Sequence, residues 1–113
     1  MKKTDMLKKN YEFKNVLSKG KCYFGKYLII YIIKENTISS KIGIAVSKKT
    51  AIAVKRNQIK RWIRESYRIY ERQIKNNCRI VFMLKKNIDL KEIDFWKIKN
   101  DIEINFKKAG IIK

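Results

Sequence analysis

Within the segment from residue 47 to residue 70, residues 55–70 have two distinct sides when they are placed on a helix, and this division constrains the fold more than any other feature of the chain. At about 100° per residue, one side collects apolar and small side chains while the other collects polar and basic ones. The first side holds Ile59, Trp62, Ile63, Ser66, Ile69 and Tyr70. The second side holds Arg56, Asn57, Lys60, Arg61, Arg64 and Arg68. The pattern predicts an amphipathic helix over residues 55–70, with its apolar side against a core.

The polar side of this helix carries charge of one sign. From Lys48 to Arg64 the chain has seven basic residues and no acid, and Glu65 is the first carboxylate. A solvated helix face usually mixes both signs, and cations in the first turn oppose the helix dipole at a cost of roughly 0.3–1 kcal/mol each. This repulsion indicates an external anion, which free N–H groups at the helix start would also help to bind. A merely solvated basic face is the alternative.

Composition supports a polyanion as the partner. The chain has 113 residues and a net charge of +19, which favours a single domain over residues 1–113 that binds nucleic acid. The apolar runs are too short to cross a membrane, and the basic start lacks the apolar stretch of a signal peptide, so we expect a cytoplasmic protein. Cys22 and Cys78 are then expected to be free thiols in or near the core.

The first third of the chain predicts an arm, a helix and two strands. Residues 1–9 are polar and basic and are expected to form a flexible arm. Asn10 is a candidate N-cap and Gly20 a stop for a helix over residues 10–19. Residues 21–33 are aromatic and β-branched, which favours strands, and Gly25 divides them into a short and a long one. The long strand is apolar on both faces, so both should be at least partly covered.

The remainder of the chain completes an αβββαβα order. Residues 34–41 are interpreted as a polar hairpin loop, and residues 42–47 as a strand in which Gly43 marks a close approach. Residues 79–84 form a continuous apolar run typical of a buried central strand, parallel to the strand before the basic helix. The last helix is expected over residues 91–108, with Asp101 on its solvated face and Trp96 flanking the apolar stripe as a further core residue. That stripe comprises Phe95, Ile98, Ile102, Phe106 and Ala109. The fold class is therefore α+β, a two-layer sandwich.

The basic segment resembles the signature of a known family, the bacterial ribonuclease P protein component. That signature is approximately K-x-G-x-A-V-x-R-N-R-x-K-R-x-x-R. The matching positions are Lys49, Ala53, Val54, Arg56, Asn57, Lys60, Arg61 and Arg64. Two positions depart from it, because Ala51 replaces a glycine and Gln58 replaces an arginine. A second family pattern in the first helix is matched by Leu7, Lys8, Phe13, Val16 and Gly20.

The resemblance implies a four-stranded sheet, an atypical left-handed βαβ crossover and a division of labour with RNA. The partner would be a catalytic RNA subunit that uses Mg²⁺ to remove the 5′ leader of precursor tRNA. The protein would hold no tightly bound cofactor and need no membrane and no obligate protein partner. The implied RNA-binding residues are Lys48, Lys49, Arg56, Asn57, Gln58, Lys60, Arg61, Arg64 and Arg68. The implied leader-binding cleft lies between the first helix and the exposed face of the sheet, beside the basic helix, and comprises Phe13, Leu17 and Tyr31.

The residue inventory argues against an autonomous nuclease and leaves other binding functions open. Protein nucleases usually need histidine or clustered carboxylates that hold Mg²⁺, whereas this chain has no His and ten scattered acids. A ribosomal or other general RNA-binding protein is the main alternative. A helix-turn-helix DNA-binding protein would need a helix just before the basic one, where a strand is predicted. A membrane-active cationic protein would lack the predicted strand-rich core.

Overall fold

The computed structural model describes residues 4–34, 39–49 and 51–113. Over these ranges the chain forms five strands, three α-helices and two turns of 3₁₀-helix, at Glu71–Gln73 after the second α-helix and at Leu90–Glu92 before the third. In chain order the elements are β1 (Thr4–Met6), α1 (Asn10–Lys19), β2 (Lys21–Phe24), β3 (Leu28–Lys34), β4 (Ser40–Ala45), α2 (Ala53–Tyr70), β5 (Cys78–Leu84) and α3 (Phe95–Ala109).

The strands form one mixed sheet in the order β1-β4-β5-β3-β2. β5 lies at the centre, antiparallel to β3 and parallel to β4. β2 and β3 form an antiparallel pair at one edge, and β1 runs parallel to β4 at the other. The predictions of a central β5 and of a parallel pair joined through α2 are confirmed, while the left-handed sense of that crossover stays a prediction.

The hairpin predicted between β3 and β4 is wrong. These two strands do not pair with each other, because each pairs with β5 from opposite sides. Polar loops occur both in hairpins and in longer connections between strands. The loop therefore does not reveal that β5, which comes later in the chain, lies between β3 and β4 in the sheet. Residues 35–38 of this connection lie outside the described residues.

The start of the chain supplies the fifth strand, so the predicted count of four is corrected. Thr4, Asp5 and Met6 pair with residues 40–42 of β4. Leu7 is buried, and its backbone N–H donates to the carbonyl of Ile42 at 2.8 Å. From residue 4 onward the predicted arm is therefore part of the sheet, and residues 1–3 lie outside the described range. A strand of three residues carries too little periodicity to be found in the sequence.

Both faces of the sheet are covered, as expected for its doubly apolar strands. Along β5, Ile80 and Phe82 belong to the main core, which α2 and α3 complete. Val81 faces the other way, into a smaller cluster with Leu7 and Val16 under α1. The α+β sandwich predicted from the sequence is confirmed, and α1 adds partial cover to the second face.

The first helix has its predicted bounds but a different N-cap. Lys9 occupies the cap position and Asn10 is the first helical residue. The Glu12 carboxylate accepts the Lys9 N–H at 3.3 Å, and a carboxylate three residues after the cap is typical of a helix start. The N-cap is therefore Lys9, one position before the predicted Asn10. At the other end, the Gly20 N–H donates to the Val16 carbonyl at 2.7 Å, as expected of a helix stop.

The buried stripe of α2 is rotated slightly from the predicted one. Ile59, Ile63, Ser66 and Tyr70 are buried as expected, but Ile69 is 46% exposed. Tyr67 replaces it and makes edge-to-face contacts with Phe82 and Phe106, at centroid distances of 6.2 and 6.4 Å.

Two residues of α3 are placed opposite to expectation. Trp96 is 66% exposed, because it lies about 200° around the helix from Ile98, which is fully buried. Asp101 is only 5% exposed. Its carboxylate accepts three backbone N–H groups, from Lys26 at 2.7 Å, Tyr27 at 3.0 Å and Leu28 at 2.9 Å. Asp101 therefore ties α3 to the turn between β2 and β3.

A glycine makes room for this buried carboxylate. A Cβ atom added at Gly25 would lie 2.4 Å from Asp101 Oδ2. The prediction that Gly25 separates two strands is confirmed, and its lack of a side chain also lets Asp101 reach the turn.

Cys22 is half-buried and Cys78 is buried, and neither thiol forms a disulfide. In the described part of the chain, no helix is both long and apolar enough to cross a membrane.

Candidate nucleic-acid interface

The basic side of α2 faces away from the core. Asn57, Gln58, Arg61 and Arg68 are exposed, and the partly covered members of this face are Arg56, Lys60 and Arg64. The first turn of α2 holds no acid, and the N-cap residue Ile52 has no side chain that could accept the first N–H groups. The first carboxylate, Glu65, pairs with Arg61 at 3.4 Å in an exposed ion pair that contributes little stability. The face is therefore strongly positive.

A pocket of about 610 Å³ extends this positive surface beyond the helix start. Its lining residues are Lys48, Lys49, Ala51, Ile52, Lys55, Arg56, Leu90 and Lys91. Five of these side chains are cationic and none is acidic, so the pocket favours an anionic group. Sequence analysis missed two of them. Lys55 lies within the motif at a position that the family signature leaves unspecified, whereas Lys91 belongs to the turn before α3 and has no local signal.

Two motif residues also have partners within the protein. The Arg56 guanidinium donates to the Ala51 carbonyl at 2.8 Å, so it helps to hold the loop before α2. The Gln58 amide oxygen accepts from Lys55 Nζ at 3.2 Å. Lys55 Nζ also lies 5.1 Å from the ring centroid of Trp62. Gln58 thus orients a neighbouring cation in place of the family's arginine charge.

The second half of α2 meets the edge of the sheet. Arg64 and Arg68 line a smaller pocket of about 160 Å³ with residues of β1 and β4, including Thr4 and Ile42. Glu71 also lines it and accepts a hydrogen bond from the Thr4 hydroxyl. The start of the chain therefore shapes the surface beside these two arginines.

The predicted cleft residues come together on the opposite face of the sheet. Phe13 and Leu17 from α1 and Tyr31 from β3 are all half-buried against one small cluster, which includes Val81. Phe13 approaches β4 closely, because a Cβ added at Gly43 would lie 2.5 Å from its ring. The close approach predicted at Gly43 is confirmed.

Tyr31 is the polar member of this cleft. Its strand partner is Cys22 on β2. Burial raises the pKa of the Tyr31 hydroxyl, and the Cys22 thiol raises it further, so the ring stays neutral at physiological pH. Ile33 and Met83 pack against the same cluster and were missed, although strand alternation places both on the Tyr31 face.

The structure thus forms two surfaces rather than one continuous site. Arg64 and Arg68 lie near Ile42 on one face of β4, whereas Phe13 lies against Gly43 on the other face. The expectation that the cleft runs directly beside the basic helix is corrected to two surfaces separated by β4. Among residues 4–34, 39–49 and 51–113, no group of three or more His, Cys, Asp or Glu side chains could hold a metal ion.

The fold and these surfaces define a class, a strongly basic α+β protein with a cationic helix joining parallel strands of a mixed sheet. Within that class, the family model described as Ribonuclease P matches residues 1–110. The chain is 38% identical over 112 residues to the ribonuclease P protein component of Dictyoglomus turgidum, covering 98% of this chain and 93% of that protein. It is also 38% identical over 112 residues to the one from Alkaliphilus metalliredigens, covering 99% of each.

A solved structure agrees with these sequence matches. The ribonuclease P protein of Staphylococcus aureus superposes with a TM-score of 0.84 at 29% identity, covering 98% of this chain and all of that one. The chain belongs to the bacterial ribonuclease P protein component family, whose members take part in tRNA processing. The resemblance found in the sequence is confirmed.

Proposed function

We propose that this chain is the RNA-binding, non-catalytic subunit of a ribonuclease P ribonucleoprotein in the cytoplasm. It would bind the catalytic RNA subunit and the single-stranded 5′ leader of precursor tRNA. In this proposal, Mg²⁺ is used by the RNA and cleavage chemistry belongs to the RNA.

The observation that carries the proposal is the positive face of α2, whose first turn holds no acid and is continued by the five-cation pocket at the helix start. Phosphate binding would relieve the repulsion among these side chains, and each phosphate contact releases counterions. The family relationship supports RNA as the polyanion, because the relatives are named as protein components of ribonuclease P.

The division of labour follows from the side chains available. The sequence contains no His, and its ten acids include none that the described structure clusters into a metal site. Asp101, the most deeply buried carboxylate among the described residues, already accepts three backbone N–H groups. The described side chains therefore provide no evident set of groups for general acid–base or metal-assisted cleavage by the protein.

The leader would lie in the cleft on the α1 side of the sheet. Single-stranded RNA is typically held by aromatic rings on which bases stack and by nearby cations. Phe13 and Tyr31 would supply rings, and Leu17 an apolar wall. Tyr31 remains neutral and would not repel phosphate. Lys60, Arg64 and Arg68 would hold backbone phosphates across the edge of the sheet that β1 and β4 form.

Substitution of Phe13 by Leu tests the leader cleft. Leucine keeps an apolar side chain against Gly43 but removes the ring. Because stacking contributes about 1–3 kcal/mol per base, the variant holoenzyme should bind leader-bearing precursor about five-fold or more weakly. Mature tRNA, which has no leader, is the internal control and should bind unchanged. Equal losses on both ligands, accompanied by a lower melting temperature, would assign Phe13 to the core alone.

A charge-matched pair of variants tests the basic helix. The double change Lys60→Ala and Arg64→Ala should weaken binding of the RNA subunit and reduce the slope of log K against log salt by roughly 0.7–0.9 per lost phosphate contact. The control, Lys75→Ala with Lys108→Ala, removes the same charge from exposed positions near the end of α3. If both doubles reduce affinity equally, net charge rather than the α2 face binds the RNA.

A further inference from the structure

Trp96 is an exposed aromatic ring that the proposed function does not use. It lies in the first turn of α3, and 66% of its surface is accessible. Phe95 meets its ring edge-to-face at a centroid distance of 5.2 Å and an interplanar angle of 78°. This contact restricts the indole without stacking on it, so the ring is held in place while much of it remains open to solvent.

Cations and a polar amide surround this ring. Lys99 Nζ lies 5.9 Å from the centroid of Trp96 and 5.4 Å from that of Tyr70. Lys97 is exposed, and Asn100 is exposed one turn beyond Trp96 on the same side of α3. A ring for stacking, ammonium groups for phosphates and an amide for base edges are thus combined within one helical turn.

The carboxylates near this surface are mostly engaged by the protein itself. Asp94 caps α3 by accepting the Lys97 N–H at 2.9 Å. Glu103 accepts from the Tyr70 hydroxyl and lies 3.4 Å from Lys107 Nζ. Glu92 is exposed and is the acid that opposes an anionic ligand most directly. In a chain of net charge +19, this local balance still favours an anion over a cation.

We infer that Trp96, Lys97, Lys99 and Asn100 form a second single-stranded RNA site, in which an unpaired base stacks on Trp96. α3 covers the sheet face opposite the one that bears Phe13 and Tyr31. The site therefore takes a different RNA segment from the leader in the proposed cleft. The inference needs only RNA as ligand and does not depend on the leader site being correct.

Tryptophan emission reports on this site directly, since the chain has only two Trp residues. The half-buried Trp62 is replaced by Phe so that Trp96 is the sole tryptophan. The protein is titrated with an unstructured twelve-nucleotide oligoadenylate, with excitation at a wavelength that tyrosine does not absorb. Emission should be quenched as the base stacks. A duplex with the same number of phosphates should leave it unchanged. The reciprocal variant, Trp96→Phe, retains Trp62 beside Lys55 and reports on the α2 face instead, so the midpoint of its quenching should not respond to Lys99→Ala.

Lysine variants in the Trp62→Phe protein separate the site from general charge. Lys99→Ala should raise the midpoint of quenching two-fold or more and lower its salt slope by about 0.7. Lys108→Ala on the same helix should change neither. Absence of quenching, equal quenching by the duplex, or equal effects of the two lysines would overturn the inference. The inference would also be overturned if the protein self-associates and Trp96→Phe abolishes that self-association.

Binding of the catalytic RNA subunit, measured in parallel, distinguishes the two proposals. Tight binding of that RNA without Trp96 quenching would overturn the second site alone. Failure to bind that RNA with quenching intact would overturn the proposed function alone.

Discussion

Replacing Asp101 by Asn tests how the helical layer is fastened to the sheet. Asp101 Oδ2 accepts the N–H groups of Tyr27 at 3.0 Å and Leu28 at 2.9 Å, and Oδ1 accepts that of Lys26 at 2.7 Å. Asparagine retains one oxygen and replaces the other with an NH₂ group. If the oxygen keeps the two bonds of Oδ2, the amide nitrogen faces the Lys26 N–H, and two donors then meet.

The cost follows from the lost bond and the donor left behind. A hydrogen bond to a charged group contributes about 1.5–3 kcal/mol, and a buried unsatisfied donor costs about 1–3 kcal/mol. Partial solvent access at Lys26, which is exposed, reduces the second penalty. We therefore expect Asp101→Asn to lower the free energy of unfolding by about 2–4 kcal/mol.

Urea unfolding followed by circular dichroism and by tryptophan fluorescence measures this difference. The control is Asp94→Asn on the same helix, where the carboxylate makes an exposed N-cap bond to Lys97. Because Asn and Asp cap helices about equally well, the control should change stability by less than about 0.5 kcal/mol. An Asp101→Asn variant as stable as the control would refute the account of Asp101 as a tie between α3 and the β2–β3 turn.

Two further substitutions probe the two surfaces. Gly43→Ala places a Cβ 2.5 Å from Phe13 and should lower the free energy of unfolding, measured by thermal unfolding, by about 1–3 kcal/mol. The addition of Phe13→Leu should recover part of this loss. An unchanged melting temperature in Gly43→Ala would contradict the close packing. Gln58→Arg restores the family's charge at an exposed position and should tighten binding of the RNA subunit. The slope of log K against log salt should become steeper by about 0.7–0.9. Weaker binding would indicate that the Gln58 contact with Lys55 matters more than charge.

The sequence was most informative in α2, where one helical periodicity arranges both the apolar side chains and the basic ones. Ile59 and Ile63 recur at helical spacing opposite a run of cations, so the helix, its buried side and its basic side were all evident. The helical pattern assigned Ile69 rather than Tyr67 to the buried stripe, because both residues lie near the boundary of that stripe. Only the packing of α2 against Phe82 and Phe106 decides between them.

Features created by distant partners could not be predicted in the same way. The helical pattern alone places Asp101 on the surface, and only the β2–β3 turn brings three N–H groups to it. Its position beside Ile98 and Ile102 on the helix was nevertheless a usable signal. β1 is a strand only because β4 offers a free edge. The separation of the cleft from the basic helix depends on which side of β4 each helix packs, and strand alternation alone leaves that choice open.

Cleavage of precursor tRNA by the separated and recombined components tests the central claim most directly. The purified protein, treated with nuclease to remove bound RNA and then freed of that nuclease, is assayed alone and with its RNA subunit at moderate Mg²⁺. The account predicts no cleavage by the protein alone and release of the 5′ leader when both components are present. Robust cleavage by the RNA-free protein would contradict it.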